Sequence, residues 1–89
     1  MKAIVTVIGK DKIGIISKIS TKLAKHGVNI LDISQTILQG YFTMMMFVDL
    51  EVMDISFAKL ARELELLGSE LGVSILIQQE DVFKSMHRI

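Results

Sequence analysis

Two short segments of this chain rhyme: HGVNI, from His26 to Ile30, and LGVSI, from Leu71 to Ile75. Each follows a stretch of helical apolar periodicity, places glycine where a helix ends in a left-handed cap, and continues in strand-forming residues. The chain therefore contains one strand-helix-strand unit twice. Ala3 to Ile8 alternates, with Ala3, Val5 and Val7 on one face, and reads as the first strand. From Gly14 the period changes to that of a helix, with Ile16, Ile19 and Leu23 as its stripe, Ile15 and Ala24 beside it, and Lys18, Lys22 and Lys25 toward water.

Gly27 ends that helix, and Val28 to Leu38 returns to strand composition. Val28 and Ile30 share one parity while Leu31 and Ile33 share the other, which predicts a bulge. Leu38 to Gly40 is a tight turn, and Tyr41 to Leu50 alternates again, with Phe42, Met44, Met46, Val48 and Leu50 on one face. Asp54 is placed to cap a second helix with the stripe Phe57, Leu60, Ala61, Leu64, Leu67 and Leu71. Gly72 closes it, Val73, Ile75 and Ile77 form the last strand, and residues 80–89 make a short amphipathic, helical tail.

The order β-α-β-β-α-β, right-handed crossovers and a short central hairpin leave one simple solution. It is a ferredoxin-like plait of the α+β class, with a four-stranded antiparallel sheet and both helices on one face. The first and third strands are central, the second and fourth are edges, and residues 1–89 form a single domain. On the face away from the helices lie Ile4, Ile8, Met45, Phe47 and Leu76, which a partner subunit or the Val82, Phe83 and Met86 side of the tail is expected to cover.

Composition then removes functions that this plait can host. With 51% hydrophobic residues in 89, apolar packing must stabilise the fold, and part of that surface is expected to meet another subunit. There is no cysteine, so neither a copper-chaperone thiolate pair nor a disulfide framework is available. Ten basic and ten acidic residues give no general field toward nucleic acid or anionic membrane. An RNA-reading sheet would need stacking aromatics, and its open face offers Tyr41 and Phe47 without an Arg-rich surround. No apolar run is long enough for a bilayer and no signal-peptide layout opens the chain, so a cytoplasmic location is expected. His26, at a helix end, and His87, in the tail, read as structural or solvated.

The loop between the first strand and first helix is the candidate site. Gly9, four residues and Gly14 have the outline of a phosphate loop, but Ile15 and Ile16 stand where such a loop needs Lys and Ser or Thr. An acylphosphatase-like reading could use Lys10 and Lys12, yet the loop has no Arg. Unpaired amides at a helix start favour an anion, Asp11 or the Asn29 amide could meet an ammonium, and Gly14 removes a side chain from the approach. Structural alternatives exist for each residue: Asp11 as an N-cap, Gly14 for close helix-sheet packing, Asn29 paired with a strand neighbour.

The run GKDKIGIISKISTKLAKHGVNILDIS resembles ACT domains, small regulatory modules that bind amino acids, and the match covers nearly the whole chain. Its carriers are Asp11, Gly14 and Ile15, then Gly27, Asn29 and Ile30. The length and the segment QTILQGYFTMMM look like the stand-alone bacterial branch, which is similar to the regulator of the glycine cleavage system but has one unit per chain instead of two. The resemblance implies a homodimer with the ligand between the first loop of one subunit and the start of the second strand of its neighbour. It implies ligand contacts from Asp11, Lys12, Ile13, Gly14, Ile15, Asn29 and Ile30, with no catalytic residue, metal or cofactor. Serine-binding members carry His and Asn where this chain has Gly9 and Asp11, so the particular amino acid is not named.

Two functions are then in contention: an amino-acid sensor that reports to an unidentified regulated protein, and an assembly domain that keeps the shape with a degenerate pocket. A small acylphosphatase-like enzyme is a distant third. Neither of the first two involves direct nucleic-acid or membrane contact.

Overall fold

The computed structural model describes residues 1–10 and 13–86. Asp11, Lys12 and His87, and the side chain of Met86, lie outside the described residues. Along the chain run β1 (Lys2–Gly9), α1 (Ile15–Lys25), β2 (Asn29–Leu38), β3 (Tyr41–Asp49), α2 (Phe57–Leu71), β4 (Ser74–Gln79) and α3 (Glu80–Met86). The strands form one sheet in the order β2-β3-β1-β4, and every pairing is antiparallel. This is the ferredoxin-like plait expected from the repeat, with a short C-terminal helix.

The core lies where the periodicities predicted, except that in α1 Ile15 is buried while Ile16 is half-buried and Ala24 exposed. Ala3, Val5 and Val7 of β1, Phe42, Met44, Met46 and Val48 of β3, and Ile75 and Ile77 of β4 are buried against Ile15, Ile19 and Leu23 of α1 and Leu60, Leu64 and Leu67 of α2. Met44 and Met46 are fully enclosed, consistent with methionine filling an irregular interior. The predicted bulge is present: Ile30 faces Val48 and Asp32 faces Phe47, so Leu31 is the extra residue. The hairpin turns at Gln39 and Gly40, both with positive φ, the twist that suits antiparallel strands.

One cap differs from expectation. Ser56, not Asp54, caps α2, its Oγ accepting the Lys59 N–H at 3.1 Å. Asp54 is drawn away by a histidine 28 residues earlier in the chain.

The face of the sheet away from α1 and α2 is partly open. Ile4, Met45 and Phe47 are half-buried, α3 lies against β1 and β4, and Ile8 and Leu76 remain about half exposed. The β2 edge is more open still, since every residue from Leu31 to Leu38 is exposed. Ile37 and Leu38 reach 57% and 70%.

Candidate functional site

Gly14 begins α1 in the left-handed conformation, φ +75°, and accepts the Lys18 N–H at 3.0 Å. No side chain among the described residues caps this end, where the first-turn amides have no partner within the helix. A Cβ on Gly14 would find nothing within 4 Å. Close helix-sheet packing therefore does not explain this glycine; its backbone angle and the open approach do. Gly9 is the reverse case, because a Cβ there would run into Val73 Cγ1. The chain has no space at position 9 for a polar ligand-reading side chain.

The remaining candidates are spread out. Ile13 is exposed, while the Ile15 side chain is in the core, so Ile15 can offer a ligand only its backbone. Asn29 is exposed and Ile30 half-buried, packed on the core from the start of β2. Gly9 stands opposite Phe42 and Asn29 opposite Asp49, seven residues further along β3. At the rise of a strand that separates the two groups by about 24 Å. Within one protomer, the fold does not bring the loop and Asn29 together.

Beside Gly14, the outer side of α1 forms a groove of about 440 Å³ toward Leu67 and Glu70 of α2. Ser17, Lys18, Thr21, Lys22 and Lys25 line it, and α1 has no acidic residue in its 11 positions. On the open face, Lys10 sits over the Tyr41 ring at 5.6 Å and Lys2 over Phe47 at 5.9 Å, so both rings already have cationic neighbours.

The other end of α1 holds a cluster that the periodicity did not reveal. His26 is only 8% exposed and lies between two carboxylates. Its Nδ1 is 3.0 Å from Asp54 Oδ1 and its Nε2 is 2.9 Å from Glu63 Oε1. Lys22 Nζ reaches the same Glu63 oxygen at 3.5 Å. The hydrogen bond from His26, and then the charges of His26 and Lys22, hold the Glu63 carboxyl below the usual carboxylate range despite partial burial. The local signal for His26 was only its place at a helix end; both partners are distant in sequence.

Residues 2–78 match the family model for the ACT domain. The chain belongs to the ACT domain family. Across its full length it is 58% identical to a UPF0237 protein of Clostridium acetobutylicum, itself covered in full. An ACT domain protein from Streptococcus pneumoniae superposes with a TM-score of 0.83 at 49% identity, covering 94% of both chains. A protein described as a glycine cleavage system transcriptional repressor shares the fold, with a TM-score of 0.70 at 21% identity. There 88% of this chain matches 44% of the other. ACT domains are small-molecule-binding regulatory domains, so this one is a regulatory fold. No helix among its described residues is long and apolar enough to cross a membrane.

Proposed function

We propose that this ACT domain is an amino-acid-binding regulatory module of the cytoplasm that works as a homodimer. The ligand carboxylate rests on the amides that open α1 in one copy, and Asn29 of a second copy completes the site. One observation carries the reading: the two halves of the expected site stand at opposite ends of the sheet, and the edge strand between them is exposed from Leu31 to Leu38. Antiparallel pairing of β2 with β2 of a second copy sets the start of one strand beside the hairpin end of the other. The hairpin end is also where β1 finishes and the loop begins. Such pairing satisfies the unpaired edge groups and covers Leu31, Ile33 and Ile37. Asp11 and Lys12 belong to the proposed loop site, and residues 80–89 are a tail of the one domain. No residue is catalytic and no cofactor takes part; an unidentified protein reads the bound state.

A second reading has support in the loop itself. Among its described residues the one polar side chain is that of Lys10, which sits over the Tyr41 ring, while Ile13 and Gly14 offer none, as in an assembly domain with a degenerate pocket. Sedimentation and calorimetry with the twenty amino acids separate the two. A dimer that takes up an amino acid supports the sensor, and a dimer giving no heat at millimolar ligand supports assembly alone. A monomer at high micromolar concentration overturns both.

A further inference from the structure

A neutral imidazole carries one N–H, yet both ring nitrogens of His26 face carboxylate oxygens at hydrogen-bond distance. Only the doubly protonated ring donates to both. With that proton, His26 and Lys22 balance Asp54 and Glu63; without it, the cluster has an excess negative charge and one nitrogen lone pair directed at a carboxylate. The backbone adds a third tie, since the His26 carbonyl accepts the Asp54 N–H at 3.1 Å. Around this joint pass three parts of the fold: the end of α1, the 50–56 loop that precedes α2, and the first residues of β2.

We propose that His26 is a proton-operated latch, which ties the 50–56 loop and α2 together beside the start of β2 when both ring nitrogens are protonated and, when Nδ1 loses its proton, lets go of the Asp54 side chain and leaves the loop on its backbone tie alone. The asymmetry follows from exposure. The Asp54 side chain is 64% exposed and can turn to water, whereas that of Glu63 is 23% exposed and would keep only the longer contact with Lys22, at 3.5 Å. The remaining proton therefore stays on Nε2, toward Glu63.

The other charged groups do not substitute for the ring. Lys22 already shares the Glu63 oxygen, while Lys25 in the last turn of α1 and Lys59 and Arg62 on α2 are exposed. Asp49 accepts the Glu51 N–H at 2.9 Å and caps the loop's own turn. Glu51 is exposed, and Asp32, the nearest acid on β2, lies beyond the bulge. Because Asn29 begins the strand that this joint anchors, the latch makes the β2 edge pH-dependent whether or not an amino acid binds.

Titration of the isotopically labelled full chain by NMR tests it. The His26 ring and the amides of Val52, Met53 and Asp54 are expected to shift with one common midpoint, and the high-pH ring signals to report a proton on Nε2. Glu63→Gln is expected to move that midpoint to lower pH, and His26→Gln to flatten the loop response. Loop amides unmoved through the His26 transition overturn the latch, as does a proton retained on Nδ1. If His26→Gln does not fold, the wild-type tautomer and the common midpoint still decide.

Discussion

The two ends of α1 are built in opposite ways. At its C-terminus the Gly27 N–H reaches the Ala24 carbonyl at 3.1 Å and the Val28 N–H the Leu23 carbonyl at 3.0 Å, and His26 joins two further elements. At its N-terminus Gly14 has no side-chain cap among the described residues, and open space lies where a Cβ would be. Both glycines adopt left-handed angles, φ +76° and +75°. At Gly27 the 50–56 loop blocks the place a Cβ would take, and at Gly14 that place is open, so the same backbone shape serves anchoring at one end and access at the other.

The largest expected effect comes from adding a methyl at the anchored end. A Cβ on Gly27 would lie 2.9 Å from the Val52 carbonyl oxygen, a backbone atom that cannot rotate away. Gly27→Ala is expected to lose about 3 kcal/mol in urea unfolding, combining left-handed strain with displacement of the 50–56 loop. A loss no greater than that of Gly14→Ala would remove the distinction between the two ends. Gly14→Ala meets strain alone and is expected to lose about 1 to 2 kcal/mol. A bulkier residue there cannot test ligand approach cleanly, because any ordinary side chain is strained at this angle. Gly14→Asn, which tolerates the left-handed region, is the better probe of access by calorimetry.

These positions also show what local sequence can and cannot convey. The buried faces of β1, β3, α1 and α2 were legible because alternation and helical period are properties of a short window. So was the bulge, as a change of parity between Ile30 and Leu31. The cap of α2 was misplaced because Asp54 and Ser56 are both good capping types, and the choice is made by His26, a residue distant in the chain. For the same reason His26 read as an ordinary helix-end histidine. The loop and Asn29 could be named from the family resemblance, but their separation along β3 is a matter of register. That register turns a list of site residues into a question about two copies.

The anchored end should also respond to acid, by less than either glycine change because the ion pairs are partly solvent-screened. Glu63 is held below its usual value of 4.5, so its contribution is present above that value and disappears as pH falls through the lowered one. Glu63→Gln is expected to lower stability near neutral pH and to flatten its decline between about pH 5 and 3. Urea midpoints across that range measure it. An unchanged slope would show that Glu63 is as easily protonated folded as unfolded.

The smallest expected change in stability is at Asn29, and its smallness is what makes the residue informative. Its side chain is exposed, and among the described residues no hydrogen bond to it is seen, so Asn29→Ala should change the protomer by no more than about 0.5 kcal/mol. Its position at the start of an exposed edge strand would then be revealed only in the pair. If a second copy uses Asn29 to close the site at the open end of α1, calorimetry should show amino-acid binding weakened by about 1 to 3 kcal/mol, with folding nearly unchanged. Mixing separates contact across the pair from a local effect. In a heterodimer of Asn29→Ala with a Gly14 variant that cannot bind, both defects fall on one site if Asn29 acts across the interface. The other site is then wild-type in both halves, and half the binding capacity returns. If Asn29 acts within its own subunit, each site in the mixed dimer carries one defect and no full-affinity site returns. That result would leave the two ends of α1 as independent features and remove the reason for pairing them through β2.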